Sequence, residues 1–194
     1  MEINDNERDK ILWNQFKNGD DDSFTAVFKK YYSFIFNYGC RITDDHSLVE
    51  DCIQELFLDM WRTKGKADIV SVKAYIFKAF KFKLVKVIAK NNRVKLLPAG
   101  DYENSFEISH ENFLINKEQN AVLNKKIAEA LLQLSPRQKE IIYLKFYLNL
   151  NYDEVSDVMQ INYQASRNLI YQAIKMLKKI ISFQLFCLFI LQDI

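Results

Sequence analysis

Arginine, lysine and amide side chains recur on one face of the segment 164–179. On a helical wheel with about 100° between residues, these polar side chains gather on one side and the apolar ones on the other. Such side chains hydrogen-bond to base edges and to phosphates. The pattern therefore predicts recognition of duplex DNA, and the alternative is the solvated face of an ordinary bundle helix. The predicted DNA-reading residues are Gln164, Arg167, Asn168, Tyr171, Gln172 and Lys175.

Helix-start signals place this face in a helix-turn-helix. Ser135 and Gln138 have the spacing of a capping box, and Asn151 and Glu154 repeat that spacing before a short helix. A break at 160–162 then precedes the long basic helix. A capped short helix, a tight turn and an amphipathic basic helix together are typical of a DNA-binding motif.

A second basic surface is predicted further upstream in the chain. Residues 63–97 contain 10 basic and 1 acidic side chains, and the predicted helix within them has an apolar stripe facing a lysine-rich arc. Lysines can hold phosphates while exposed rings stack on bases, so the arc predicts a surface for single-stranded nucleic acid. The alternative is that the rings pack on a neighbouring helix. The residues assigned to this surface are Tyr75, Lys78, Lys81, Phe82 and Lys86.

An acidic ridge with an exposed leucine runs along the helix that starts after Thr43–Asp45. Asp51, Glu55 and Asp59 line the side opposite the apolar face, with Gln54 and Leu58 beside them. The four residues of this ridge that are candidate contacts for a partner are Asp51, Gln54, Glu55 and Leu58. The ridge is either a docking surface for a basic protein partner or a solvated acidic face. The aromatic stripe of the preceding helix, about 24–41, is interpreted as core packing.

Composition favours an all-α chain, because there are only 4 Gly and 2 Pro among 194 residues and 49% of the residues are hydrophobic. We expect two small helical domains joined by a flexible linker, the second domain containing the helix-turn-helix. The predicted ranges are 10–95 for the N-terminal domain, 96–117 for an acidic linker, 118–181 for the C-terminal domain and 182–194 for an apolar tail. The tail is shorter than the roughly 20 residues that span a bilayer, so no membrane insertion is expected.

Enzymatic chemistry is not predicted. The sequence contains no Gly-rich phosphate loop, no metal-ligand cluster and no supported nucleophile–histidine arrangement, so no cofactor, metal or small-molecule substrate is expected. Its 3 cysteines are widely spaced, which fits a reducing cytoplasm rather than a disulfide framework. The opening residues are polar and acidic, unlike a signal peptide, so we expect a cytoplasmic protein.

These segments, taken in order, resemble an extracytoplasmic-function (ECF) sigma factor of bacterial RNA polymerase, of the kind abundant in Bacteroidetes. The resemblance runs from about Leu12 to Lys179, and its most specific part is LVEDCIQELFLDMW. It implies that Asp51, Gln54, Glu55 and Leu58 bind core RNA polymerase. It also implies that the helix 72–90 and the loop 64–71 capture the melted −10 element, and that the helix 164–179 reads the −35 element.

The resemblance further implies that the acidic linker threads the RNA exit path of the polymerase and that an anti-sigma factor is a potential partner. Four positions depart from the family pattern. The family often has Asn near position 82 and Asp or Asn near position 86, where this chain has Phe82 and Lys86, so its base preference at the −10 element is expected to differ while strand binding is kept. Ser166 replaces a usually apolar residue on the packing face. Gln160 stands where a turn glycine is common, so a residue other than glycine is expected at positive φ.

Two other functions fit parts of the sequence. A stand-alone helix-turn-helix regulator would bind duplex DNA without polymerase, but it would leave the acidic ridge unexplained. A protein that inhibits a sigma factor by direct interaction would tolerate the loss of Arg167 and Lys175.

Overall fold

The structure of the chain is a computed structural model. It describes residues 5–64, 69–94, 106–107 and 121–192, with side chains described for 5–64, 69–91, 106–107 and 127–181. Throughout these residues the regular elements are helices, which confirms the all-α prediction. The chain divides into two compact units, one of residues 1–102 with 157–160 and the other of residues 103–156 and 161–194.

The first unit begins with four helices in sequence. They are α1 (Asp5–Lys17), α2 (Asp21–Gly39), α3 (His46–Thr63) and α4 (Val72–Val94). The helix α1 begins at Asp5, ahead of the predicted domain start at residue 10. Acidic side chains in a first helical turn are stabilised by the helix dipole, and α1 has Asp5 and Glu7 there.

A buried carboxylate fastens α1 to α2. Asp9 is 4% exposed and accepts a hydrogen bond of 2.6 Å from the Lys30 ammonium and a second hydrogen bond from the Tyr31 hydroxyl. A buried charge is tolerated when it is paired and hydrogen-bonded, as here. This contact explains why the helix extends through the polar residues that precede its apolar ones.

Helices α2, α3 and α4 pack tightly against one another at Gly39. A β-carbon at this position would lie 2.7 Å from Cγ1 of Val49 and 2.9 Å from Cζ of Phe80. The neighbouring core side chains are fully buried, so they have little room to move. The principal buried residues of α3 and α4 are Val49, Cys52, Ile53, Leu56, Met60, Ile76, Phe77, Phe80 and Leu84.

The remaining helices follow the connector. They are α5 (Ala121–Leu132), α6 (Pro136–Ile142), a π-helical turn (Tyr143–Tyr147), α7 (Tyr152–Met159) and α8 (Tyr163–Gln192). The backbone of α8 continues through most of the predicted apolar tail, whose side chains lie outside the described residues. No helix among the described residues is both long enough and apolar enough to cross a membrane.

Both predicted capping boxes are present. The Ser135 hydroxyl accepts a hydrogen bond of 3.3 Å from the backbone N–H of Gln138. The side-chain oxygen of Gln138 accepts one of 3.0 Å from the backbone N–H of Ser135. Asn151 and Glu154 form the same reciprocal pair at 2.9 and 2.7 Å. The starts of α6 and α7 are therefore fixed by side chains within three residues of each other.

Candidate protein-docking and nucleic-acid surfaces

The four residues of the acidic ridge form one exposed face of α3. Asp51, Gln54, Glu55 and Leu58 follow an i, i+3, i+4, i+7 spacing, and all four are exposed. Leu58 is 51% exposed, so no neighbouring helix among the described residues covers this apolar side chain. The face therefore offers carboxylates, an amide and an apolar contact point to a partner.

An aromatic groove lies beside this face, between α2 and α3. Its volume is about 540 Å³, and Gln54 and Leu58 of the acidic ridge form part of its lining. Its other walls are rings from the two helices, with Phe24 packed 5.0 Å from Trp61 and Phe28 packed 4.9 Å from Phe57. The groove joins the polar ridge to an apolar depression that could hold the side chains of a partner helix.

The sequence interpretation missed this groove. It assigned the aromatic stripe of α2 to core packing, whereas Phe24 and Phe28 also line an open surface. The spacing of Leu58 and Trp61, both exposed on α3, was the signal that could have indicated it.

Lys83 of α4 reaches the acidic ridge from the side. Its ammonium lies 3.1 Å from Glu55 Oε2 and 2.9 Å from Asp59 Oδ2. Partial burial lowers the pKa of Lys83, but its hydrogen bonds to Asp59 and Glu55 outweigh burial and leave the pKa above its ordinary value. This lysine of the basic arc is therefore engaged by carboxylates of α3.

The predicted −10 residues occupy different environments on α4. Lys78, Phe82 and Lys86 are exposed, and their four-residue spacing places them in one row along the helix. Phe82 is 60% exposed, so the packing alternative does not apply to its ring. Lys81 is half-buried beside this row. In this row one ring lies between two cations, so the ring can stack on an unpaired base while the cations hold phosphates of the same strand.

Tyr75 packs partly against the core, as the alternative interpretation allowed. Its ring meets Trp13 of α1 edge-on at 5.5 Å, and the side chain is half-buried. Burial raises the pKa of the Tyr75 phenol above its ordinary value. Tyr75 is thus anchored at the end of the row, with only part of its surface open to a ligand.

The loop before α4 is only partly described. Lys64 ends α3 with φ 46°, and residues 65–68 lie outside the described residues. Ser71, which is 7% exposed, accepts a hydrogen bond of 3.2 Å from the Ala74 amide and so caps the start of α4.

On α8 the predicted −35 residues are all exposed. Two contacts order parts of this face: the Gln164 amide donates to Asn168 Oδ1 at 3.3 Å, and the Arg167 guanidinium lies 5.8 Å from the centre of the Tyr163 ring. Exposed amides and cations held in one row can reach base edges and phosphates. The residues concerned are Gln164, Arg167, Asn168, Tyr171, Gln172 and Lys175.

The turn before α8 has the conformation expected from the sequence. Gln160 adopts φ 54°, which confirms that a residue other than glycine takes the left-handed conformation here. Asn162 then accepts a hydrogen bond of 2.7 Å from the Ala165 amide and caps α8.

The buried hydroxyl of Ser166 has partners on both sides. Ser166 is fully buried; its hydroxyl accepts from Ser156 at 2.9 Å and donates to the Tyr163 carbonyl at 2.8 Å. The polar replacement on the packing face is therefore satisfied, and it links α7 to the start of α8.

Metal-binding groups do not cluster in the part of the chain that the structure describes. Cys40 and Cys52 are free thiols, and burial raises the pKa of each. Thiols with raised pKa values stay protonated at neutral pH and react slowly. Neither one is a candidate nucleophile.

Comparison with known proteins gives the class of this fold. The Sigma-70 region 2 family matches residues 27–94, and the Sigma-70, region 4 family matches residues 124–177. The ECF RNA polymerase sigma factor SigK of Mycobacterium sp. (strain JLS) is 22% identical over 174 residues, which is 87% of this chain and 88% of that protein.

Two solved structures have the same fold. CnrH, determined in complex with the cytosolic domain of CnrY, has a TM-score of 0.58 and 16% identity, covering 90% of this chain and 97% of that one. The sigma factor RpoE of Bartonella quintana, in complex with the anti-sigma factor NepR, has a TM-score of 0.56 and 18% identity, covering 82% and 96%.

The chain belongs to the sigma-70 family, since two of the conserved regions of that family together account for more than half of its length. It is an alternative sigma factor of the ECF kind that directs promoter recognition, as the sequence predicted. Core RNA polymerase and promoter DNA are the partners that these two regions imply.

Proposed function

We propose that the exposed face of α3, with its groove, binds core RNA polymerase, while α4 and α8 hold the two promoter elements. Asp51, Gln54, Glu55 and Leu58 would contact the polymerase. The row Lys78, Phe82 and Lys86, with Tyr75 and Lys81 beside it, would hold the unpaired −10 strand. The polar face of α8 would enter the major groove at the −35 element.

The observation that carries this assignment is the separation of surfaces by chemistry. An acidic and apolar face on α3, a row of cations and a ring on α4, and an amide and cation face on α8 are all exposed. Each surface suits a different ligand: a basic protein, a single strand and a duplex. A stand-alone regulator needs only the last of the three.

The domain boundaries proposed for this function are 10–95 and 118–181, with 96–117 as linker and 182–194 as tail. Most of the linker and the side chains of the tail lie outside the described residues. We further assign the protein to the Bacteroidetes type of ECF factor, to the cytoplasm and to a role in binding rather than catalysis, with the polymerase performing the chemistry.

An anti-sigma factor is a proposed second protein partner. Both solved relatives named above were determined as complexes, one with the cytosolic domain of CnrY and the other with the anti-sigma factor NepR. Here the groove between α2 and α3 would accept an apolar helix of such a partner. Because Leu58 and Gln54 also belong to the polymerase-docking face, the two partners would compete.

Run-off transcription tests the proposal directly. Purified core polymerase would be supplied with a promoter library, with and without this protein. Transcripts that depend on the protein and share a −35 and −10 pair would support the function. Core binding without transcripts would favour a sigma-inhibiting protein or an autoinhibited form of the chain. Absence of core binding would favour a stand-alone DNA-binding regulator.

A further inference from the structure

Phe106 is buried although it lies within the predicted flexible linker. It is 3% exposed, and its ring lies 5.7 Å from the ring of Tyr143 in the π-helical turn. Tyr143 in turn stacks on Tyr147 at 4.6 Å, so the phenylalanine joins a row of three rings. Removing a phenylalanine ring from water is favourable, so the burial of Phe106 stabilises its attachment to the second unit.

The neighbouring residue makes an ionic contact with the same unit. The Glu107 carboxylate lies 2.8 Å from the Lys139 ammonium. The Lys139 side chain is only 6% exposed, whereas the Glu107 side chain is 68% exposed. A nearly buried ammonium requires a partner, because its uncompensated burial is costly. Glu107 supplies that partner from the connector.

Two adjacent residues thus contribute one apolar and one ionic contact to the second unit. Their attachment divides the connector between α4 and α5. Phe106 is only 12 positions after Val94, whereas Ala121 is 27 positions after it. An extended chain spans at most about 3.3–3.6 Å per residue, so the maximum reach falls from roughly 95 Å to roughly 40 Å.

We propose that Phe106 and Glu107 form a clip on the second unit that sets the promoter spacing this sigma factor accepts. With the clip closed, the shorter tether restricts the distance between the −10 and −35 surfaces. The inference rests on the proposed function, because it assigns the two DNA elements to α4 and α8. It concerns the connector, which neither the docking face nor the promoter-binding faces include.

The size of the effect follows from tether length. The effective concentration of one binding unit near its site falls roughly as the −3/2 power of tether length. Opening the clip lengthens the tether from 12 to 27 residues, so activity at the preferred spacing should fall roughly threefold. Transcription from promoters with longer spacers should fall less, because the longer tether allows the two units to reach more widely separated promoter elements.

The experiment is transcription by holoenzyme from templates whose −35 to −10 spacer changes in single base-pair steps. Phe106→Ala removes the ring contact, and Glu107→Lys places a second cation beside the nearly buried Lys139 ammonium. Both variants should flatten the spacer profile, and the charge exchange Glu107→Lys with Lys139→Glu should restore it. Spacer profiles equal to that of the unchanged protein in both single variants would overturn the clip.

A second measurement separates the clip from the sigma role. Glu50→Cys and Lys178→Cys, in a chain without its 3 native cysteines, would carry dyes on exposed positions of α3 and α8. In the free protein Phe106→Ala should broaden the distribution of distances between the dyes. An unchanged distribution would overturn the clip even if transcription were normal. Absence of transcription by the unchanged protein would overturn the proposed function. The distance distribution between the dyes would then show by itself whether the clip exists.

Discussion

The Lys83 ammonium on α4 lies 3.1 Å from the Glu55 carboxylate on α3. A carboxylate that is proposed to dock the polymerase is therefore already hydrogen-bonded within its own unit. Glu55 remains 64% exposed, and exposed ion pairs contribute only about 0–1 kcal/mol to stability. A basic residue of a partner can therefore replace Lys83 at small cost.

Glu55→Lys should weaken binding to core polymerase at least tenfold, because a cation would replace the docking carboxylate and lie next to Lys83. A pull-down or fluorescence titration with core polymerase measures this. Glu7→Lys is the matched control, since Glu7 is also an exposed glutamate of the first unit but belongs to α1. Lys83→Met breaks the ion pair while keeping Glu55; if it weakened binding as much as Glu55→Lys, docking by Glu55 would be contradicted.

Arg167→Ala should reduce transcription from a promoter with an intact −35 element while leaving core binding unchanged. A contact to a base edge contributes about 1–3 kcal/mol, which corresponds to a fall of roughly fivefold or more. The control is the same promoter with its −35 element mutated, on which the variant and the unchanged protein should have equal activity. An equal loss on both templates would exclude base reading by Arg167.

Gly39→Ala should destabilise the first unit by about 1–3 kcal/mol, because the added methyl group would overlap Val49 and Phe80. Urea unfolding followed by tryptophan fluorescence measures it, since both tryptophans, Trp13 and Trp61, belong to this unit. Val49→Ala should relieve the overlap, so the double variant should lose less stability than the sum of the losses in the two single variants. Strict additivity of the two changes would argue against the overlap.

Tyr75→Phe should alter the dependence of stability on alkaline pH. Burial raises the pKa of Tyr75 in the folded state above the value of about 10 in the unfolded chain. Its contribution to stability is thus fully present below pH 10 and is lost as pH rises through the folded-state pKa. The stability difference between the unchanged protein and Tyr75→Phe should be constant from pH 7 to 9 and should move in favour of the variant above pH 10. A constant difference throughout would mean that Tyr75 ionises equally in both states.

The elements that the sequence predicted well were set by local signals. The capping boxes at Ser135 and Asn151, and the positive φ at Gln160, depend on side chains within a few residues of one another. The exposed faces of α3 and α8 followed from helical periodicity, which survives folding because each helix buries one side. The clusters of site residues could therefore be listed before any tertiary contact was known.

The features that the sequence did not predict depend on contacts between distant segments. The groove required Phe24 of α2 to meet Trp61 of α3, and the engagement of Lys83 required α4 to lie beside the acidic ridge. Phe106 and Glu107 lie among polar and acidic residues that show no periodicity, so nothing local indicated their burial or pairing. The same limit explains why Tyr75 was assigned to the strand-binding surface without its contact to Trp13.

The helix starts of the second unit have a consequence for how that unit folds. Ser135 with Gln138, Asn151 with Glu154, and Asn162 with Ala165 are each separated by three residues. Contacts of such short range close small loops at a low entropic cost, so each helix start can form before the helices pack on one another. The packing of α8 on α5 and α6 joins segments that are distant in the sequence and is expected to form later. We therefore expect the capped amides of Gln138, Glu154 and Ala165 to be protected from hydrogen exchange early, when the protein refolds after dilution from urea.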